Sequence, residues 1–255
     1  MSSSTLLKMP GSIADPAHPP IEDLIPNVEL IESDGEPLES DWHVKQFVTL
    51  VDSINHHFRE RDDFYTAGNM FVYFSEEQAR NRDFRGPDFF FVKNTNHRPM
   101  RPYWCVWKEG GRTPNVVIEL CSPSTIDIDR GEKKEIYEQR LHVNEYYCYD
   151  PFSRRLEGWR LDPLRYKPLK LDKVGRLWSR ELGLWIGPWD GPIMRYEDRW
   201  IRFFTEEGEL VLLPDEAERA RADRAEAEVA ELRALLAGKT NGHANGGAGH
   251  RKKKK

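Results

Sequence analysis

Three side chains in this 255-residue sequence are of types, and at spacings, that could do chemistry together: Asp88, Glu119 and Lys133. Asp88 follows Pro87 and opens the apolar run Phe89–Val92, so a carboxylate stands where a hydrophobic strand begins. Glu119 interrupts an otherwise apolar run, Val116-Val117-Ile118 before it and Leu120 after. A carboxylate buried in such a strand costs several kcal/mol unless it is paired, hydrogen-bonded or bound to a metal. Lys133 falls on the next helical segment, four residues before Tyr137 and eight before Leu141, which puts its stem near that segment's inward stripe. Two carboxylates on adjacent strands suit Mg²⁺ or Mn²⁺, which take oxygen ligands and keep water positions open. Such an ion neutralises charge on a phosphate and lowers the pKa of bound water. A nearby lysine orients or deprotonates that water, or stabilises a pentavalent transition state. The set therefore points to phosphodiester hydrolysis. Blander readings remain open: an Asp at a strand start also caps turns, and a buried Arg would satisfy the Glu.

The elements that must position these groups follow from periodicity. Val44, Phe47, Val48, Val51, Ile54 and Phe58 recur at helical spacing, predicting an amphipathic helix over 41–61. Strands are expected at Asn69–Phe74, Asp88–Val92, Pro114–Leu120 and Glu145–Asp150, the third nearly all apolar and so buried on both faces. Between the last two, Ser122–Thr125 reads as a turn and DIDRGEKKEIYEQRL as a helix with Asp127 or Asp129 as its N-cap. Strand, helix, strand across 114–150 is a βαβ pattern, so the two strands should be sheet neighbours. From Arg155 to Leu213 short strands and turns rich in Trp predict a β-rich continuation.

Composition sets limits. The hydrophobic fraction of 38% and aromatic fraction of 11% supply a core, and no apolar run is long enough to span a membrane. The N-terminus lacks an apolar segment behind a basic start, so no secretory signal is expected. Cys105, Cys121 and Cys148 lie far apart without a CxxC pair, against a zinc site or disulfide framework and in favour of a reduced, cytoplasmic setting. A formal charge of −5 means that any nucleic-acid contact must come from a local patch. The expected organisation is a loose leader over 1–26, one domain over 27–213, a charged helix over 214–237 and a flexible basic tail over 238–255. Ala222, Ala225, Val229, Leu232 and Leu236 make a short coiled-coil-like seam on that helix, and a homodimer is one use for it.

The stretch RGPDFFFV … PNVVIELCSPSTIDIDRGEKKEIYEQRLHVNEYYCYDP resembles the Uma2 family, also called DUF820, of restriction-endonuclease-like proteins. The family pattern is PD before a strand, a strand ending E-x-x-S-P-S, then D-x-x-x-K-x-x-x-Y, then a short strand ending in DP. Pro87-Asp88, Glu119, Ser122-Pro123-Ser124, Asp129, Lys133, Tyr137 and Asp150-Pro151 match it in this chain. The resemblance covers about residues 30 to 210. It implies the PD-(D/E)XK nuclease class: an α/β (α+β) mixed sheet core flanked by helices, a β-rich C-terminal part and a separate C-terminal helix. It further implies a metal-dependent endonuclease acting on nucleic acid, DNA before RNA, with Asp88 and Glu119 as ligands and Lys133 as the catalytic lysine. In the broader class the lysine lies two residues after the strand Glu. Cys121 stands there instead, so the lysine must come from the helix, as Lys133 or its neighbour Lys134. Accessory candidates are Glu36, His43, Asp129 and Tyr137. Glu36 suits a metal shell or an acidic turn, and His43 a phosphate or a structural contact. Arg80, Arg82 and Arg85 suit a phosphate patch or a solvated loop, and Ser122 and Ser124 suit turn duty. The rival reading is a non-catalytic nucleic-acid-binding or interaction protein on the same fold.

Overall fold

The computed structural model describes residues 40–81 and 86–244, the last eight as backbone only. The 1–26 leader, Glu36, Arg82, Asp83, Arg85 and the end of the basic tail lie outside the described residues.

The first helix, α1 (Asp41–His57), starts at Ser40, whose hydroxyl accepts the His43 N–H at 3.2 Å. Its deepest face carries His43, Gln46, Thr49, Leu50, Ser53 and Ile54, whereas most of the stripe expected from spacing is only half-buried. Polar side chains can take the deep face because each is bonded there. Thr49 and Ser53 donate to carbonyls one turn back, at 2.7 Å each. The Gln46 amide pairs both ways with the Ile201 backbone, at 2.9 Å in each direction, as a neighbouring strand would.

A short strand β1 (Phe64–Ala67), absent from the sequence expectation, follows. The expected strand at 69–74 is reduced to β2 (Val72–Tyr73), and a single turn of helix, α2 (Glu76–Arg80), comes next. Beyond it lie β3 (Phe89–Lys93), β4 (Trp104–Cys105) and β5 (Val116–Leu120). The segment expected as one helix is three pieces: α3 (Ile126–Ile128), a π-helical turn (Asp129–Lys133) and α4 (Lys134–Gln139). Four strands, β6 (Glu145–Asp150), β7 (Arg155–Leu161), β8 (Tyr166–Pro168) and β9 (Leu177–Ser179), precede the long hairpin β10 (Leu184–Ile193) and β11 (Tyr196–Phe204).

The central sheet has the order β1-β3-β5-β6-β7-β8. Its β5–β6 pair is parallel, as the βαβ pattern predicts, and its other pairs are antiparallel. Strand alternation sends Phe89, Phe91, Val116, Ile118 and Tyr147 to the face covered by α1 and by the second sheet, β11-β10-β9. Phe90, Val92, Val117, Tyr146 and Cys148 face the other way, against Tyr137 and Leu141 at the α4 end. Both faces are covered, which is why β3 and β5 read as apolar runs. Strands β2 and β4 form a separate parallel pair.

The last helix, α5 (Pro214–Ala244), runs past the expected end at Ala237. The two glycines it passes, Gly238 and Gly242, each cost a helix only about 1 kcal/mol, and it runs through both. No helix among the described residues is long and apolar enough to cross a membrane.

Candidate active site

Strand register brings the two carboxylates together. Phe90 lies opposite Val117 and Phe89 opposite Ile118, so one step further along the same antiparallel pair Asp88 falls opposite Glu119. Both belong to the sheet face that α4 covers, Asp88 in alternation with Phe90 and Glu119 with Val117. The Asp88 Oδ2 accepts the Leu120 N–H at 2.7 Å. The backbone at Asp88 also packs closely on Gly68. A Cβ there would lie 2.5 Å from the Asp88 carbonyl oxygen and 2.7 Å from the Phe47 ring.

The helical side supplies the cation. In an α-helix four residues overshoot one turn, so a stripe at four-residue steps drifts round the axis. The wider π turn at Asp129–Lys133 offsets that drift, and Asp129, Lys133 and Tyr137 point toward the sheet together. Lys133 Nζ is 3.2 Å from Glu119 Oε2 and 2.7 Å from Asp129 Oδ1. The Tyr137 hydroxyl donates to Glu119 Oε1 at 2.7 Å, and the Tyr146 hydroxyl to the Asp129 carbonyl at 2.7 Å. Lys134 turns away, with its ammonium 4.4 Å from the centre of the Trp159 ring. Of the two lysines only Lys133 joins the carboxylates. Asp129 does not cap a helix: it lies within the helical run and is buried against Lys133, and Asp127 caps nothing either, since the run begins behind Thr125. The Asp129–Lys133 spacing of four residues was a readable signal for this pair.

Electrostatics follow from the geometry. Burial pushes the Asp88 carboxyl up to about 6, against the help of the Leu120 N–H and Lys133. Burial also pushes Glu119 up, to about 8, with Asp88 and Asp129 adding to the rise while Lys133 and the Tyr137 hydroxyl oppose it. Burial alone would discharge Lys133, but Glu119, Asp129 and Asp88 outweigh it and raise its pKa. The lysine is therefore a fixed ammonium. It suits orienting water or stabilising charge, rather than removing a proton.

Other candidates are placed as follows. His43 Nε2 donates to the Leu120 carbonyl and its Nδ1 faces the Ser40 hydroxyl at 3.3 Å, so both ring nitrogens are occupied by the fold. Leu120 is thus held twice, by Asp88 at its N–H and by His43 at its C=O, a contact that sequence reading missed. Ser122 and Thr125 exchange backbone-to-hydroxyl bonds at 3.0 and 3.2 Å and close the turn after β5. Arg80 pairs with Glu76. Cys121 is buried in the apolar cluster on the Glu119 side of the sheet, beside Cys148. A second buried carboxylate, Glu145, is saturated instead by Arg160, Tyr147, Ser179 and the Arg180 N–H. It makes a structural node.

The donor set fits a hard divalent cation. Three carboxyl groups crowd one ammonium, and two of them have pKa values raised, first by burial and then by neighbouring carboxylates. No three Asp, Glu, His or Cys side chains among the described residues converge as an all-protein cage. Mg²⁺ commonly needs only one or two carboxylates, with water and phosphate oxygens completing its shell.

Residues 19–189 match the model of the family Uma2, described as "putative restriction endonuclease". The chain belongs to the Uma2 family. The Uma2 motif residues Asp88, Glu119, Asp129, Lys133 and Tyr137 are those that the fold gathers into one cluster. A solved structure from Anabaena variabilis, titled a putative nuclease belonging to DUF820, is similar to this Uma2 chain. It is 11% identical, with a TM-score of 0.42, over 59% of this chain and 81% of that one. Among curated proteins none matches the sequence.

Proposed function

We propose that this Uma2 protein is a metal-dependent nuclease that hydrolyses phosphodiester bonds in nucleic acid, DNA in the first instance. The observation that carries the reading is the convergence of Asp88, Glu119 and the Lys133 ammonium on one partly buried spot. In this reading Asp88 and Glu119 would hold Mg²⁺ or Mn²⁺. When bound, such an ion supplies charge neutralisation at the phosphate and an acidified water. Lys133 holds a positive charge beside Glu119, where it orients the attacking water and opposes charge developing on the phosphate. Asp129 keeps that ammonium in place, and Tyr137 fixes one oxygen of Glu119 so that the other faces Lys133. His43 and Asp88 together clamp Leu120 and with it the end of β5.

The test is incubation of supercoiled plasmid, single-stranded DNA and RNA with the protein in Mg²⁺ or Mn²⁺, with EDTA in parallel. Cleavage that needs the cation is expected. A second reading, a nucleic-acid-binding protein without catalysis, draws on Lys133 being already paired with both Glu119 and Asp129. It predicts binding without cleavage and no uptake of either cation.

A further inference from the structure

A cleft of about 710 Å³ opens between the start of α1, the turn after β5, the turn after β6 and β11. It lies at the end of β5 that carries Glu119. Ser122 follows Glu119 by three residues, and His43, which also lines the cleft, holds the Leu120 carbonyl. Its apolar walls are Trp42, Phe152, Pro123 and Pro151. The hydroxyls of Ser40, Ser122 and Ser124 and the Asp198 carboxylate supply polar edges. Among the described residues the lining has no lysine or arginine, and those residues suit an uncharged polar group better than a phosphate.

Phe152 is the unusual member. Its side chain is 72% exposed at the rim, yet its backbone is held firmly. The Asp150 carboxylate accepts the Phe152 and Ser153 N–H groups at 2.9 and 3.2 Å and the Ser153 hydroxyl at 2.5 Å. An aromatic ring carried in water on a fixed turn gains nothing for the fold, but gives a flat partner a rigid stacking platform. Trp42 is backed by Trp200, stacked at 5.7 Å with 1° between the ring planes, so the opposite wall is rigid as well.

From this cleft we infer that the protein takes its nucleic acid with an unpaired base seated beside the scissile phosphate, stacked on Phe152 and hydrogen-bonded at its edge by the serine hydroxyls and Asp198. A nucleobase is the occupant that is flat, uncharged and rich in donors and acceptors, and that arrives tethered to the phosphate which the neighbouring carboxylates would address. A base within a duplex has both faces covered by its neighbours, so a single strand or a flipped nucleotide is required. The inference rests on the nuclease reading for its substrate class, but is tested by binding alone.

The experiment compares wild type with Phe152→Ala, a rim substitution that disturbs no core contact. Ca²⁺ replaces Mg²⁺ as an oxygen-seeking cation. The probes are a fluorescein-labelled 12-mer oligothymidylate, the same strand with one abasic position moved along it, and a hairpin duplex, each followed by anisotropy. Base–aromatic stacking is worth about 1–3 kcal/mol, so Phe152→Ala should weaken the single strand about tenfold and leave the duplex within about twofold. One abasic position should weaken wild type similarly and cost Phe152→Ala nothing further. Equal affinity of the two proteins for the single strand, or an equal loss on the duplex, overturns the inference. If plasmid cleavage then proceeds in both proteins, the nuclease reading stands without the base cleft. Discrimination by Phe152 in a protein that cleaves nothing leaves the cleft as a binding site and removes the nuclease reading.

Discussion

Asp88 and Glu119 stand opposite each other in surroundings that penalise a charged carboxylate, and that burial, which Lys133 only partly offsets, sets their behaviour toward protons. Glu119 moves from an ordinary 4.5 to about 8 and Asp88 from 3.8 to about 6. Both folded-state values lie above the unfolded ones, so the native state holds more protons and its stability falls as pH rises through this window. A divalent cation held by the two carboxylates, as proposed, would displace those protons and reverse the trend. Thermal melts from pH 5 to pH 9 should therefore show a falling Tm without metal and a Mg²⁺-induced rise that is larger at pH 8 than at pH 6. A metal-induced rise that is the same at both pH values would contradict cation binding at these two protonated carboxyls. Tyr137→Phe removes the bond that helps ionise Glu119, and should weaken the cation by about 10–100-fold in a calorimetric titration. At this scale the sequence was most informative. A carboxylate amid Val116, Val117 and Ile118 has few explanations, and the motif spacing favoured Lys133 over Lys134, whereas the π turn that aims Lys133 was announced by no residue pattern.

The elements show where side-chain periodicity stops being a guide. Strands β3, β5 and β6 are legible because both faces are covered and their residues are apolar almost throughout. The buried face of α1 is not legible, because Gln46, Thr49 and Ser53 take it by bonding to backbone, and hydropathy alone assigns such residues to solvent. Gln46→Ala leaves the Ile201 N–H and C=O without that amide, and should cost about 1–3 kcal/mol in urea unfolding. A loss near zero would mean that α1 and β11 are held by apolar contact alone. Strand β1 escaped notice because Phe-Tyr-Thr-Ala is short and lies next to polar residues. Its turn nonetheless contains Gly68, where Ala would press on the Asp88 backbone. Gly68→Ala should therefore lower any cleavage rate well before it lowers the Tm.

At the scale of the molecule, one ion pair among the described residues joins the C-terminal helix to the core. Arg202 is fully buried, donates to the Val211 carbonyl and meets Glu216 at 3.1 and 2.7 Å, while Glu216 also accepts the Leu213 N–H. Beyond Ala220 every residue of α5 whose side chain is described is exposed. Ending the chain after Ala225 should thus be nearly neutral in thermal melts. Ending it after Leu213 strands the buried Arg202 charge and should cost about 3–5 kcal/mol. Similar melts for the two truncations would place the stability of Arg202 elsewhere. The charged helix was plain from composition, but its anchor was not, because Arg202 lies in a strand and Glu216 resembles the exposed acids that follow it.

In the proposed function Asp88, Glu119 and Lys133 act as one hydrolytic centre. The most direct measurement is plasmid cleavage in Mg²⁺ and in Mn²⁺ by wild type, Asp88→Asn, Glu119→Gln and Lys133→Met, each checked by circular dichroism for its fold. Each substitution removes one charge with little change of volume. Cation-dependent cleavage by wild type and a loss of about 10²-fold or more in each folded variant is the predicted result. Cleavage that survives unchanged in any folded variant, or that needs no cation, would contradict it.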